Sequence, residues 1–137
     1  MTIKQFIEFM VDLANDELES LVDRNAQLYF LNGGCLEFAR ALNSIIPGSS
    51  IVINEDSEHC GVLYKGRVYD ASGDITNKIR YRIANKEDLE YMEDRFGIPE
   101  KKYIDGVRAS DCLVNEINKC NILKHLELNK KEEEREK

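Results

Sequence analysis

Asn32-Gly33-Gly34-Cys35-Leu36-Glu37-Phe38-Ala39-Arg40-Ala41-Leu42 sets two glycines directly before an apolar helical stripe. Phe38, Ala39, Leu42 and Ile46 recur on one face, and Pro47-Gly48 ends the run, so the spacing predicts a helix that starts at Cys35. Cys35 shares the buried face and lies in the first turn. There the unpaired backbone N–H groups and the positive end of the helix dipole favour thiolate over thiol, and the thiolate is the nucleophile.

The second decisive stretch is His59-Cys60-Gly61-Val62-Leu63-Tyr64-Lys65-Gly66-Arg67-Val68-Tyr69-Asp70. It reads as strands His59–Tyr64 and Arg67–Ala71 around a two-residue Lys65-Gly66 turn. Such a turn pairs Tyr64 with Arg67, Leu63 with Val68 and Gly61 with Asp70. His59 and Asp70 then become diagonal neighbours on one face, roughly 7–8 Å apart at the backbone, within reach of an imidazole–carboxylate hydrogen bond. Gly61 is expected to leave the space between them open. If the Cys35 helix packs on this face, the three groups converge. Cys60 points to the opposite face and reads as core rather than as a resolving thiol.

Around these two segments the chain alternates helix and strand signals. Thr2 with Gln5 forms a capping box for a helix carrying Ile3, Phe6, Ile7, Met10 and Leu13 to about Ala14. Asn15 or Asp16 caps a second helix to about Asp23, and Asn25 to Asn32 reads as an apolar connection. Ile51-Val52-Ile53 is a strand, Glu55-Asp56-Ser57 a turn, and Asn77 to Ala84, with Ile79, Tyr81 and Ile83 alternating, a further strand. Asn85 caps a helix with Leu89, Met92 and Phe96 inward, stopped by Gly97 and Pro99. Lys102 to Ile104 reads as a short edge strand. Ser110 caps a last helix with Leu113, Ile117, Cys120 and Leu123 on its apolar stripe. The expected fold class is α+β, with a mainly antiparallel sheet.

The chain has 137 residues, a length at which one domain buries roughly two-thirds of the surface its unfolded chain exposes. One domain over 1–128 is expected, followed by a charged, disordered tail over 129–137. No apolar run approaches the roughly 20 residues that span a bilayer, and the N-terminus does not read as a signal peptide, which points to the cytoplasm and to four free thiols, Cys35, Cys60, Cys112 and Cys120. A net charge of −7 argues against nucleic acid and anionic membranes as partners and leaves a protein or peptide. Cys112, Cys120 and His125 do not fall on one side of a helix, so no metal is expected.

Taken singly, each site residue has an ordinary reading: Cys35 as a small buried hydrophobe, His59 as a strand-end histidine, Asp70 as a cap for the Ser72-Gly73 turn, with Asp74 able to replace it as orienter. Glu37 reads as a solvated helix acid. Taken together, cysteine, histidine and aspartate form a set suited to acyl transfer, in which His59 moves the proton of Cys35 and Asp70 fixes the imidazole. Backbone N–H groups at the helix start supply an oxyanion hole, with Asn32, Tyr29 or Gln27 as a candidate side-chain donor.

Gly33 to Leu42 resembles the Gly-x-Cys-x-x-Phe-Ala-x-x-Leu helix of bacterial transglutaminase-like proteins, within the papain-like cysteine-hydrolase superfamily. The segment from His59 through Val62 and Gly66 to Asp70 is similar to the strand-turn-strand of that family. The resemblance covers Asn32 to Gly73. It implies a nucleophile helix on an antiparallel sheet, no cofactor, and peptidase, amidase, deamidase or acyltransferase activity, with Cys35 as nucleophile, His59 as base and Asp70 as orienter. A second expectation is a non-catalytic binding protein on the same scaffold, such as a phage-encoded inhibitor of a host enzyme or defence system, acting through an acidic surface.

Overall fold

Thr2 starts the first helix through the expected reciprocal cap: its hydroxyl accepts from the Gln5 N–H at 3.1 Å, and its own N–H donates to Gln5 Oε1 at 2.9 Å. The structure, a computed structural model, describes residues 1–18, 25–31, 34–78, 80–96, 103–104 and 107–120. Helix α1 (Ile3–Glu17) runs one turn beyond the expected end at Ala14, because Asn15 does not start a new helix. Its Oδ1 instead accepts from the Ala26 N–H at 2.7 Å. The rest of the expected second helix, residues 19–24, lies outside the described residues.

Asn25 to Asn32 is not a plain connection. Asn25 Oδ1 accepts from the Leu28 N–H at 3.0 Å and caps helix α2 (Ala26–Leu31), which buries Ala26 and Phe30 one turn apart. Helix α3 (Cys35–Ile45) starts where the glycines place it and gives way to the Pro47-Gly48 turn. It is the central element. Cys35, Leu36, Glu37, Phe38, Ala39, Ala41 and Leu42 are all buried, a band too wide for one helical face, since α2, the sheet and two later helices pack around it.

The sheet is antiparallel throughout, in the order β4-β3-β2-β1-β5, from strands β1 (Ser50–Asn54), β2 (Cys60–Tyr64), β3 (Arg67–Asp70), β4 (Gly73–Asp74) and β5 (Tyr81–Ile83). The β2–β3 register is the expected one, with Tyr64 opposite Arg67 and Leu63 opposite Val68. Lys65 and Gly66 both have positive φ, 50° and 78°, as a type I′ turn demands. β5 is shorter than Asn77–Ala84, because the Lys78 N–H donates to the Ile75 carbonyl at 2.9 Å and closes a turn at the expected start of the strand; Ile79 lies outside the described residues. Ile83 is 62% exposed instead of facing inward.

The face of the sheet that receives α3 differs from the expectation. Cys60, Val62, Ile53 and Ala71 join the α3 residues in the main core, whereas Val68, Val52 and Ile75 form a small second core on the other side. Gly61 faces that second core and does not hold open a gap. A Cβ there would sit 2.9 Å from the Tyr69 carbonyl oxygen and 3.1 Å from Val68.

Helix α4 (Lys86–Phe96) has the expected cap: Asn85 Oδ1 accepts from the Asp88 N–H at 2.9 Å, and Met92 is buried. The Phe96 side chain and residues 97–100 lie outside the described residues. Tyr103–Ile104 (β6) is not an edge of the main sheet but pairs with Val107–Arg108 (β7) as a separate hairpin. Helix α5 (Ala109–Lys119) buries Leu113 and Ile117 as expected, leaves Cys120 exposed, and begins after Arg108, so Ser110 is in its first turn rather than at its cap. Leu123 and the 129–137 tail fall outside the described residues, among which no helix is long and apolar enough to cross a membrane.

Glu37 is not solvated. Its carboxylate is buried and takes Arg108 in fork geometry, Nε to Oε1 at 2.9 Å and Nη2 to Oε2 at 2.7 Å, and accepts the Ser110 N–H at 3.2 Å. An anion thereby sits at the start of α5, where orphan N–H groups and the helix dipole favour it. Arg108 also pairs with Glu93, which Arg40 holds at 3.1 Å. The network ties α3, α4 and α5 together. Arg108→Leu strands a buried carboxylate and should destabilise the fold by about 3–5 kcal/mol in urea unfolding, whereas adding Glu37→Leu should recover most of that loss.

Candidate active site

Cys35 is the first residue of α3 and is 4% exposed. Gly34 before it lets the Tyr29 ring lie against the backbone: a Cβ at Gly34 would meet the ring at 2.5 Å, and the Gly34 N–H donates to the Tyr29 carbonyl at 2.9 Å. This glycine is required by close approach, not by an unusual φ. Gly33 lies outside the described residues.

His59 is not inside β2 but ends the loop before it. Asn54 Oδ1 accepts from the Glu58 and His59 N–H groups at 2.8 and 3.1 Å, the Asn54 N–H donates to the His59 carbonyl at 3.1 Å, and Ser57 takes φ 54°. So pinned, the backbone turns the imidazole toward the start of α3. Strand alternation does not apply to it, and His59 and Cys60, adjacent in the chain, both reach the Cys35 sulfur.

His59 Nε2 lies 2.8 Å from Asp70 Oδ2, and the ring also hydrogen-bonds Cys35. With Nε2 engaged by Asp70, Nδ1 is the nitrogen left for sulfur. Asp70 Oδ1 accepts from the Ser72 N–H at 2.7 Å and from the Ser72 hydroxyl, so the residue both orients the histidine and caps the turn. Asp74 does not take its place. Its carboxylate is held by Arg67 at 2.8 Å and by Thr76.

Cys60 donates to the Cys35 sulfur from both its S–H and its backbone N–H, a role the alternation pattern concealed. These contacts set the charge state. The S–H of Cys60 is the largest influence on Cys35; burial opposes it, and the His59 hydrogen bond, the Cys60 N–H and the His59 charge add to it, bringing the Cys35 thiol from its ordinary 9.0 down to about 5. His59 is raised from 6.5 to about 9, first by its bond to Asp70 and then by Cys35, against burial. Burial pushes the Asp70 carboxyl up, but the bonds from His59 and Ser72 outweigh it and hold it below 3.8. The Cys60 thiol is pushed up by the Cys35 sulfur it faces and by burial. Below about 5 the sulfur is a thiol, and above about 9 the imidazole is neutral. The two opposite shifts, cysteine down and histidine up, favour a thiolate–imidazolium pair around neutral pH.

The three candidate oxyanion donors fare differently. Tyr29 stands beside the start of α3, and burial with the nearby Glu37 charge raises its hydroxyl to about 12, so it keeps its proton and can donate. Gln27 Nε2 donates to the Ala71 carbonyl at 3.2 Å and so sits beside the Asp70 end of the site. Asn32 lies outside the described residues.

The model of the family described as Phage YunG-like protein matches residues 9–110, a span that holds Cys35, His59 and Asp70 together with Cys60, Glu37 and Arg108. The chain belongs to the phage YunG-like family. No curated protein and no solved structure matches it. In this family member the matched segment runs from α1 into the first turn of α5, so the sheet, the central helix and the ion-pair network all belong to the family domain.

The charge state is directly measurable. Iodoacetamide labelling of Cys35 should rise with pH through about 5 and be fully developed at neutrality. His59→Ala or Cys60→Ala removes a donor and should move that midpoint toward 9.0, as read by mass spectrometry of the labelled peptide.

Proposed function

We propose that this phage YunG-like protein is a small cysteine hydrolase or acyltransferase acting on an amide or related acyl bond, on a scaffold of the papain-like, transglutaminase-like kind. The observation that carries the reading is the placement of His59 between the Asp70 carboxylate, at 2.8 Å, and a sulfur at a helix start. The Cys35 thiolate attacks the acyl carbonyl, and backbone N–H groups at the start of α3 receive the developing oxyanion. The His59 imidazolium gives its proton to the leaving group as the carbon–nitrogen bond breaks, which leaves a thioester on Cys35 and a neutral imidazole. That imidazole then takes a proton from water, or from an acceptor amine, as it attacks the thioester, and the carbon–sulfur bond breaks to release the acid or new amide and restore the Cys35 thiolate and the His59 imidazolium. Asp70 holds the ring in one tautomer and stabilises its cationic form throughout.

The fold is α+β with an antiparallel sheet and a central helix bearing the thiol, the layout the transglutaminase-like resemblance implies. The substrate on this reading is a protein or peptide, and the chemistry is complete with side-chain and backbone groups alone.

A non-catalytic binding protein is the second reading. It is favoured by the 4% exposure of Cys35 and the charge of −7. Its acidic surface includes Glu8 and Asp12, which line a 450 Å³ cavity beside Gln27 and Ala71.

A chromogenic acyl ester separates the two. Wild-type protein should form an acyl adduct on Cys35 by intact mass, Cys35→Ala should form none, and His59→Ala should turn over about 10²–10⁴-fold more slowly. Reaction of Cys35→Ala at the wild-type rate would reject the enzyme. If the protein instead binds a partner, Cys35→Ala should keep that binding and Glu8→Lys with Asp12→Lys should lose it.

A further inference from the structure

Cys60 is not used by the hydrolytic steps, yet it is buried in the same core as Cys35 and its thiol touches the Cys35 sulfur. The other two cysteines stand apart, on α5: Cys112 donates to the Val107 carbonyl at 3.8 Å and Cys120 is exposed at the helix end. From two thiols buried in one core, one at the start of α3 and the other at the start of the β2 strand that α3 packs against, we infer that Cys35 and Cys60 form a peroxide-oxidisable dithiol that closes to a disulfide and masks the nucleophile. The inference rests on that packing and holds whether or not Cys35 acylates.

The chemistry closes in two steps. The Cys35 thiolate attacks one oxygen of hydrogen peroxide, forming the sulfur–oxygen bond as the oxygen–oxygen bond breaks, and the departing hydroxide takes the His59 proton to leave as water. Cys35 is now a neutral sulfenic acid. The anion that held the Cys60 proton in place is gone, so Cys60 gives that proton to the neutral His59 and its sulfur attacks Cys35. The sulfur–sulfur bond forms, the sulfur–oxygen bond breaks, and the hydroxyl leaves as water with the proton from His59. Two thiols have lost two electrons to one peroxide, which has become two waters. Because α3 packs directly on β2, the bridge joins elements already in contact.

The test is peroxide treatment of the full chain near neutral pH, followed by alkylation and peptide mapping with and without reductant. The expected result is a Cys35–Cys60 cross-linked peptide, complete loss of iodoacetamide labelling at Cys35, and recovery with dithiothreitol. In Cys60→Ala, dimedone should trap Cys35 as the sulfenic acid, and longer exposure should carry it to the sulfinic acid. A wild-type protein in which Cys35 accumulates the dimedone adduct with no cross-link, or a bridge that uses Cys112 or Cys120 instead, would overturn the proposal. The wild-type map decides the matter even if Cys60→Ala fails to fold. A cross-link in a protein inert to the acyl ester would reject the hydrolase and leave the dithiol standing.

Discussion

The imidazole of His59 is held from two sides, by the Asp70 carboxylate at 2.8 Å and by the sulfur of Cys35, and the rest of the structure is arranged to keep it there. The carboxylate favours the cation on the ring, the cation favours the anion on sulfur, and burial would neutralise each group if it stood alone. Cys60 strengthens the arrangement by turning its S–H and N–H toward the same sulfur. A thiolate beside an imidazolium in a half-buried site is a costly local state, kept because every partner charge and donor is already in place.

The scaffold supplies that placement with parts distant in sequence. The start of α3 brings the sulfur, the Asn54 turn brings the imidazole, and the type I′ hairpin carries the carboxylate back alongside. The position of α3 is in turn set by burial on nearly all sides and by Glu37, whose carboxylate reaches across to Arg108 and to the first turn of α5. One residue of α3 thus brings the sulfur to His59, and the residue two places on anchors the helix. Any loss at Glu37 would be felt at Cys35 as displacement rather than as a missing charge.

Much of this was legible in the chain. The double glycine before an apolar stripe marked the start of α3, and Lys65-Gly66 set the hairpin register that brings Asp70 toward His59. What misled was the extension of strand alternation one residue too far. His59 belongs to the loop that Asn54 ties down, so α3 packs on the Cys60–Val62 face and still meets the histidine. The Glu55-Asp56-Ser57 turn formers carried the signal that β2 starts at Cys60. Asn25 before Ala26 and Phe30 likewise marked the short helix α2. The burial of Glu37 had no local signal, because its partner lies 71 residues away. A carboxylate on a helix looks the same in sequence whether it faces water or a guanidinium.

The chain has two histidines, His59 and His125, so ring proton and nitrogen resonances followed by NMR over pH give the most direct test. The account requires one imidazole to remain protonated through neutrality and titrate near 9, and to fall back toward 6.5 in Asp70→Asn and in Cys35→Ala. Two histidines that both titrate near 6.5 in the wild-type protein, unmoved by either substitution, would contradict it.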